Sequence, residues 1–385
     1  MSVKLNGITW NHSRGYASVV AAAQRFSEIN PDIEIMWEKR SLQEFADYPI
    51  DQLIDKYDLL VIDHPWAGFA YANSALLPLE KYLSKEYLDD QKEGSVGKSF
   101  ESYNFNGSQF ALAIDAATPV AAYREDLLKL QGTQPPQTWA DVLKLARLKK
   151  VIFPAIPIDT LMNFYMLCVT MNGELFTDEG TVVDEYIGTQ ALEQLKELAS
   201  LCPNDIFNWN PIQIYEMLTR NDDFVYCPFA YGYSNYSRQG YSRHNLVFDD
   251  LVSLNEYGRL VSTLGGTGIA ISASCQNINE AVLFAEYVAS PNCQKSIYFT
   301  SGGQPGHRSA WLDEEVNSLS NQFFKNTLPT LDRAYVRPRY CGYLYFQDHA
   351  GVIVQEYLRG NTSSKAVLDK LKNLYHQSTK EGVSS

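Results

Sequence analysis

The chain has 385 residues, a net charge of −13 at neutral pH, 45% hydrophobic residues and 20% charged ones. That length is more than one ordinary core uses and predicts two domains of a soluble globular protein. No apolar stretch is long enough to span a bilayer, and no run of Lys and Arg offers a surface to nucleic acid or anionic membrane.

The first eighty residues alternate strand and helix. Val3 to Trp10 reads as a strand, and Val19, Ala22, Ala23, Phe26 and Ile29 recur at helical spacing until Asn30-Pro31 stops the helix. Ile33, Ile35 and Trp37 alternate as a second strand. A helix is expected over Ile50 to Lys56, and Leu59 to Ile62 is short and wholly apolar, as in a buried parallel sheet. This order predicts a parallel α/β unit whose ligands lie beyond the carboxyl ends of the strands. Those ends are Trp10-Asn11-His12-Ser13-Arg14, Glu38-Lys39-Arg40-Ser41 and Asp63-His64-Pro65-Trp66.

Tyr103 to Ile114 predicts a hairpin turning at Asn106-Gly107. Thr138 is an N-cap, with Asp141 three residues on as in a capping box. The uncharged stretch from Met162 to Gly173 reads as a core helix, and Asp141 to about Met217 is mostly helical in pattern. Phe224-Val225-Tyr226 reads as a strand running into an aromatic turn, Cys227 to Tyr233. Leu344 to Gly360 is a helix stopped by glycine.

The loop Asn11 to Gly15 joins a strand to a helix start, where free backbone N–H groups favour a negative or oxygen-rich ligand. His12, Ser13 and Arg14 add donors there. Arg40, His64, Arg308, Arg337 and Arg339 are further cations, and together they raise the expectation of an anionic solute; the competing reading pairs them with Asp63, Asp115 and Glu38. Trp10, Trp66, Tyr231, Tyr233 and Tyr343 are the candidates for stacking on a ring, with core packing as the competing fate of each. Gly265-Gly266-Thr267-Gly268 lacks the lysine of a phosphate-binding loop and reads as backbone that approaches a ligand closely.

The six cysteines form no C-x-x-C and are expected as buried thiols, with a Cys168–Cys202 bridge left open. The six histidines show no metal-ligand spacing, so no metal and no cofactor are expected. No G-x-S-x-G is present, which disfavours an α/β-hydrolase. Asp63 and Asp115 leave a glycosidase-like pair as the rival reading.

Several segments, in order, resemble the extracellular solute-binding proteins of ABC importers, especially those that carry sugars. They are Tyr103 with Asn106-Gly107, Thr118-Pro119-Val120 with Tyr123, Pro135 to Trp139, and Leu264 to Ala310 with its L-G-G-T-G and S-G-G-Q-P-G-H-R runs. Ala113-Ile114-Asp115 departs from the family, which usually has a proline there. The resemblance implies a two-lobed α/β periplasmic-binding-protein fold with a ligand cleft between lobes, residues 1–112 with 269–305 forming one lobe and 113–268 with 306–385 the other. It implies hinge closure on a small solute, an ABC permease as membrane partner, no nucleic acid, a monomer and no catalysis. The strand-end reading and the resemblance together give the candidate ligand set Trp10, His12, Ser13, Arg14, Arg40, His64, Trp66, Asp115, Tyr231, Tyr233, Gly266, Thr267, Arg308 and Tyr343. A periplasmic or cell-surface location is implied too, although no secretory signal precedes the first strand. A solute sensor of the same fold is the third reading.

Overall fold

The computed structural model describes residues 2–41, 52–177 and 180–381. The chain divides into two compact units. Unit 1 comprises Met1–Ala117, Leu264–Ser318 and Arg339–Cys341; unit 2 comprises Thr118–Thr263, Leu319–Pro338 and Gly342–Ser385. Residues 113–117, 264–268, 306–318 and 339–341, assigned from sequence to the second lobe, fall in unit 1; the first two segments pair with each other in its sheet.

Unit 1 is built on a five-stranded sheet among the described residues. Its strands are β1 (Val3–Trp10), β2 (Ile33–Arg40), β3 (Leu59–Ile62), β6 (Leu112–Ala117) and β10 (Gly265–Ile271), in the order β2-β1-β3-β10-β6. β1 runs parallel to β2, from Val3 opposite Ile33 to Trp10 opposite Arg40, and parallel to β3. β10 is antiparallel to both β3 and β6. The period-2 pattern of β2 holds: Ile33 and Trp37 are buried while Met36 between them is exposed.

Helix α1 (Ser18–Ile29) turns Val19, Ala22, Ala23 and Phe26 onto the sheet. Ile29 shares their spacing but is 52% exposed, because it ends the helix where Asn30 folds back onto the Phe26 carbonyl. Phe26 meets Phe284 edge-on at 5.3 Å in a core that also holds Leu5, Trp37, Val61 and Ile269. The helix expected over residues 50–56 lies partly outside the described residues, and 53–56 form turns. The hairpin turns where predicted: β4 (Asn104–Phe105) pairs with β5 (Ser108–Gln109), and Asn106 and Gly107 take φ of 50° and 85°, as a two-residue hairpin loop needs.

Unit 2 pairs β7 (Pro119–Tyr123) with β8 (Tyr226–Tyr231) on one side and β9 (Val247–Asp249) on the other, both antiparallel. β8 begins later than predicted and takes in Cys227 to Tyr231. Pro228 is tolerated there because β8 is an edge strand whose register slips between Val120 and Ala122. The capping box forms: Thr138 Oγ1 accepts from Asp141 N at 3.2 Å, and Asp141 Oδ2 accepts from Thr138 N at 3.0 Å.

The predicted core helix runs over Pro157–Thr170 and is buried along most of its length. Asp159, in its first turn, is 4% exposed, and its Oδ2 has no hydrogen-bond partner in the structure. All six cysteines are free thiols, Cys168 and Cys202 included.

Candidate functional site

The strand directions of unit 1 gather the nominated residues. β1, β2, β3 and β6 run one way and β10 runs against them. The carboxyl ends of four strands and the amino end of the fifth therefore lie along one edge of the sheet. Trp10, His12, Ser13 and Arg14 follow from β1, Arg40 ends β2, His64 and Trp66 follow β3, Asp115 lies on β6, and Gly266 and Thr267 open β10.

After β1 the chain makes a single π-helical turn, Ser13–Ala17, before α1 begins. Asn11 N donates to the Arg40 carbonyl at 2.7 Å, which ties the loop to the end of β2. His12 is extended, and its Nδ1 accepts from Arg14 N at 3.0 Å. Burial, then the neighbouring Arg14 charge, lowers the His12 pKa to about 4. The imidazole is therefore neutral at neutral pH, with its proton on Nε2. Trp10 is 3% exposed and lies against Gly15, where a Cβ would meet the indole at 2.4 Å.

Arg14 and Asp115 are both buried. The guanidinium Nε donates to Asp115 Oδ2 at 2.7 Å, and Nη2 donates to Oδ1. Burial pushes the Asp115 carboxyl up, and Arg14 opposes it. Asp115 lies opposite Thr267 across the β6–β10 ladder and also bridges to Pro305. At Gly266, with φ of 100°, a Cβ would lie 2.4 Å from the Asp115 carbonyl oxygen, so only glycine serves there. The Thr267 hydroxyl is buried without a hydrogen-bond partner in the structure.

His64 is 1% exposed; its N and Nδ1 lie 2.8 and 3.2 Å from Asp63 Oδ1. Its ring meets Tyr103 edge-on, and Tyr103 OH donates to the Ile62 carbonyl. Tyr103 thus braces the end of β3, a role with no local sequence signal. Trp66 opens helix α2 (Trp66–Asn73), 7% exposed and edge-on to Phe69 at 5.5 Å, more a wall of the unit than a free stacking platform.

The remaining nominated residues are held as follows. Arg308 donates from Nε to the Ser95 carbonyl at 3.3 Å, and its N donates to the Gly94 carbonyl. Arg339 Nη1 donates to the carbonyls of Glu101, Ser102 and Asn104, and Arg337 Nη1 donates to Gln347 Oε1. In unit 2, Tyr231 and Tyr233 stand at the end of β8. Tyr231 OH lies 3.2 Å from Thr263 Oγ1, and Tyr233 packs edge-on against Tyr215. Tyr343 is 0% exposed among Phe176 and Phe346, a core residue of unit 2.

Both carboxylates of the edge are engaged within unit 1. Asp115 is held by Arg14, and Asp63 accepts from His64. Among the described residues no group of three His, Cys, Asp or Glu side chains could hold a metal ion, and no helix is long and apolar enough to cross a membrane.

Solved structures show the same fold at low identity. Maltose-bound MalE3 of T. maritima matches with a TM-score of 0.83 and 17% identity over 97% of this chain and 99% of that one. The GacH receptor of Streptomyces glaucescens, solved unliganded and with acarbose, matches at 0.81 and 17%, over 99% of each chain. An ABC transporter solute-binding protein of Agrobacterium radiobacter in complex with ribitol matches at 0.81 and 19%, over 98% of each. The sequence profile of bacterial extracellular solute-binding proteins matches residues 9–295, most of the chain, and the protein belongs to that family.

Proposed function

We propose that the protein captures a small, uncharged, polyhydroxylated solute, a carbohydrate or polyol, and hands it unchanged to an ABC permease. The observation that carries this reading is the state of its cations. Four of the five arginines that suggested an anionic solute are engaged by the protein itself: Arg14 by Asp115, Arg308 and Arg339 by backbone carbonyls, Arg337 by Gln347. His12 adds no charge at neutral pH. Besides Arg40 and the Asp63–His64 pair, the edge of unit 1 offers neutral groups: backbone N–H groups, the His12 imidazole, hydroxyls and indole surface. Such a set suits hydroxyl-rich ligands.

The solved relatives that bind maltose, acarbose or ribitol support the same class. Binding without turnover is supported by the engagement of Asp115, which removes it from acid–base work. We place the protein in the periplasm or at the cell surface, as its family implies, and acting as a monomer. Its net charge of −13 argues against nucleic acid as a partner.

Thermal unfolding against maltose, ribitol, maltobionate and glucose phosphate tests the solute class. A solute at about a hundred times its dissociation constant adds roughly 2.7 kcal/mol. Upward shifts are expected with the neutral compounds. Shifts confined to the acid or the phosphate would overturn the uncharged assignment.

A further inference from the structure

Arg14 was nominated as a solute contact, but its geometry describes another role. It lies just beyond β1, whereas Asp115 lies on β6, and β3 and β10 stand between those strands. At about 4.8 Å per strand, β1 and β6 are roughly 14 Å apart. From the turn beyond β1 the Arg14 guanidinium meets the Asp115 carboxylate and grips both of its oxygens, across 101 residues of sequence.

The backbone of residue 14 is fastened as well. Its N–H is held by His12 Nδ1, and its carbonyl accepts from Ser18 Oγ at 2.7 Å. The far end is equally set. Asp115 is laddered to Thr267, bridged to Pro305 and overlain by Gly266. A buried ion pair adds little net stability against well-packed apolar residues, yet losing one partner leaves a costly orphan charge. Such a pair is best explained by what it orients.

We propose that Arg14 is a positioning residue: with Asp115 it forms an internal strut that sets the loop Asn11 to Gly15 against β6 and makes no charge contact with solute. The inference rests on the reading that this loop binds an uncharged solute. It extends that reading by turning the most prominent cation of the edge into scaffold. Affinity then depends on Arg14 through loop geometry, equally for neutral and anionic compounds.

The test compares Arg14→Met, Asp115→Leu and the double variant with the wild type. Each single variant leaves a buried charge and can fail to fold; the double variant removes both charges and keeps the volume apolar. Two readouts are taken. Hydrogen exchange of the Asn11–Tyr16 amides, without solute, is expected to accelerate at least about tenfold in the double variant, while the β1–β2 ladder keeps its protection. Dissociation constants are measured for maltose and for maltobionate, its acid. Both are expected to weaken by the same factor, about tenfold or more, with the double variant no weaker than the better-binding single.

Unchanged loop exchange would overturn the strut. So would loss of maltobionate binding with maltose untouched, which would make Arg14 an anion anchor. If the wild type binds neither probe, the solute reading is what fails, and the exchange measurement still decides the strut.

Discussion

Asp159→Asn raises the stability of the protein at pH 8, by about 3 kcal/mol or more, and removes most of the fall in stability between pH 4 and pH 8. The carboxyl sits in the first turn of the helix Pro157–Thr170, buried, with Oδ2 unpartnered. A helix N-terminus favours a carboxylate by typically 0.3–1 kcal/mol and at most about 2. Burial outweighs that here and pushes the group up to about 8. The groups around this turn do not supply a counter-charge. Gln355 donates to the Ala155 and Phe207 carbonyls, Asn163 donates to the Pro154 carbonyl, and the Cys227 thiol nearby is itself pushed up by burial.

The unfolded chain releases this proton near pH 4, whereas the folded chain holds it to about 8. Between those values the folded state binds more protons, so stability falls as pH rises. Asparagine keeps the shape and has nothing to ionise. Urea unfolding at pH 5, 6.5 and 8 checks this. Wild-type and variant stabilities that run parallel across the three would contradict it.

Gly68→Ala should cost several kcal/mol of stability, roughly 3 or more, although alanine in a helix interior ordinarily gains up to about 1 kcal/mol over glycine. Gly68 lies in α2, where a Cβ would fall 1.5 Å from the Arg339 carbonyl oxygen and 2.7 Å from its carbonyl carbon. The obstacle is backbone, and it is anchored. Arg339 belongs to a three-residue segment of unit 1 whose guanidinium is held by the carbonyls of Glu101, Ser102 and Asn104. Neither the helix nor the segment can give way without breaking that set. Equilibrium denaturation compares the two proteins. A variant as stable as the wild type would show that the segment 339–341 is free to shift.

Local chemistry made part of this legible in advance. The alternation in β2, the apolar run of β3, the Asn106-Gly107 turn and the Thr138 cap each depend on neighbours within a few residues. Long-range geometry was not legible. Whether Gly265 to Ile271 forms a strand depends on two partners far away in sequence, β3 and β6. Tyr343 looks like any exposed aromatic until Phe176 and Phe346 close over it.

The partners of the arginines were illegible for a related reason. Residue type announces a cation, but backbone carbonyls are invisible in sequence, and they hold Arg308 and Arg339. The strand-end rule did bring His12, Arg40 and His64 to one edge, because strand direction alone fixes which ends share it; Asp115 and Thr267 came instead from the segments that resemble the family.

The most direct measurement is the identity of the solute that co-purifies with the protein. Native mass spectrometry of the purified chain, followed by denaturing release, is expected to find a single neutral sugar or polyol per chain, recovered unchanged. Release of a phosphate or acid, or product accumulating from an added sugar, would contradict the account.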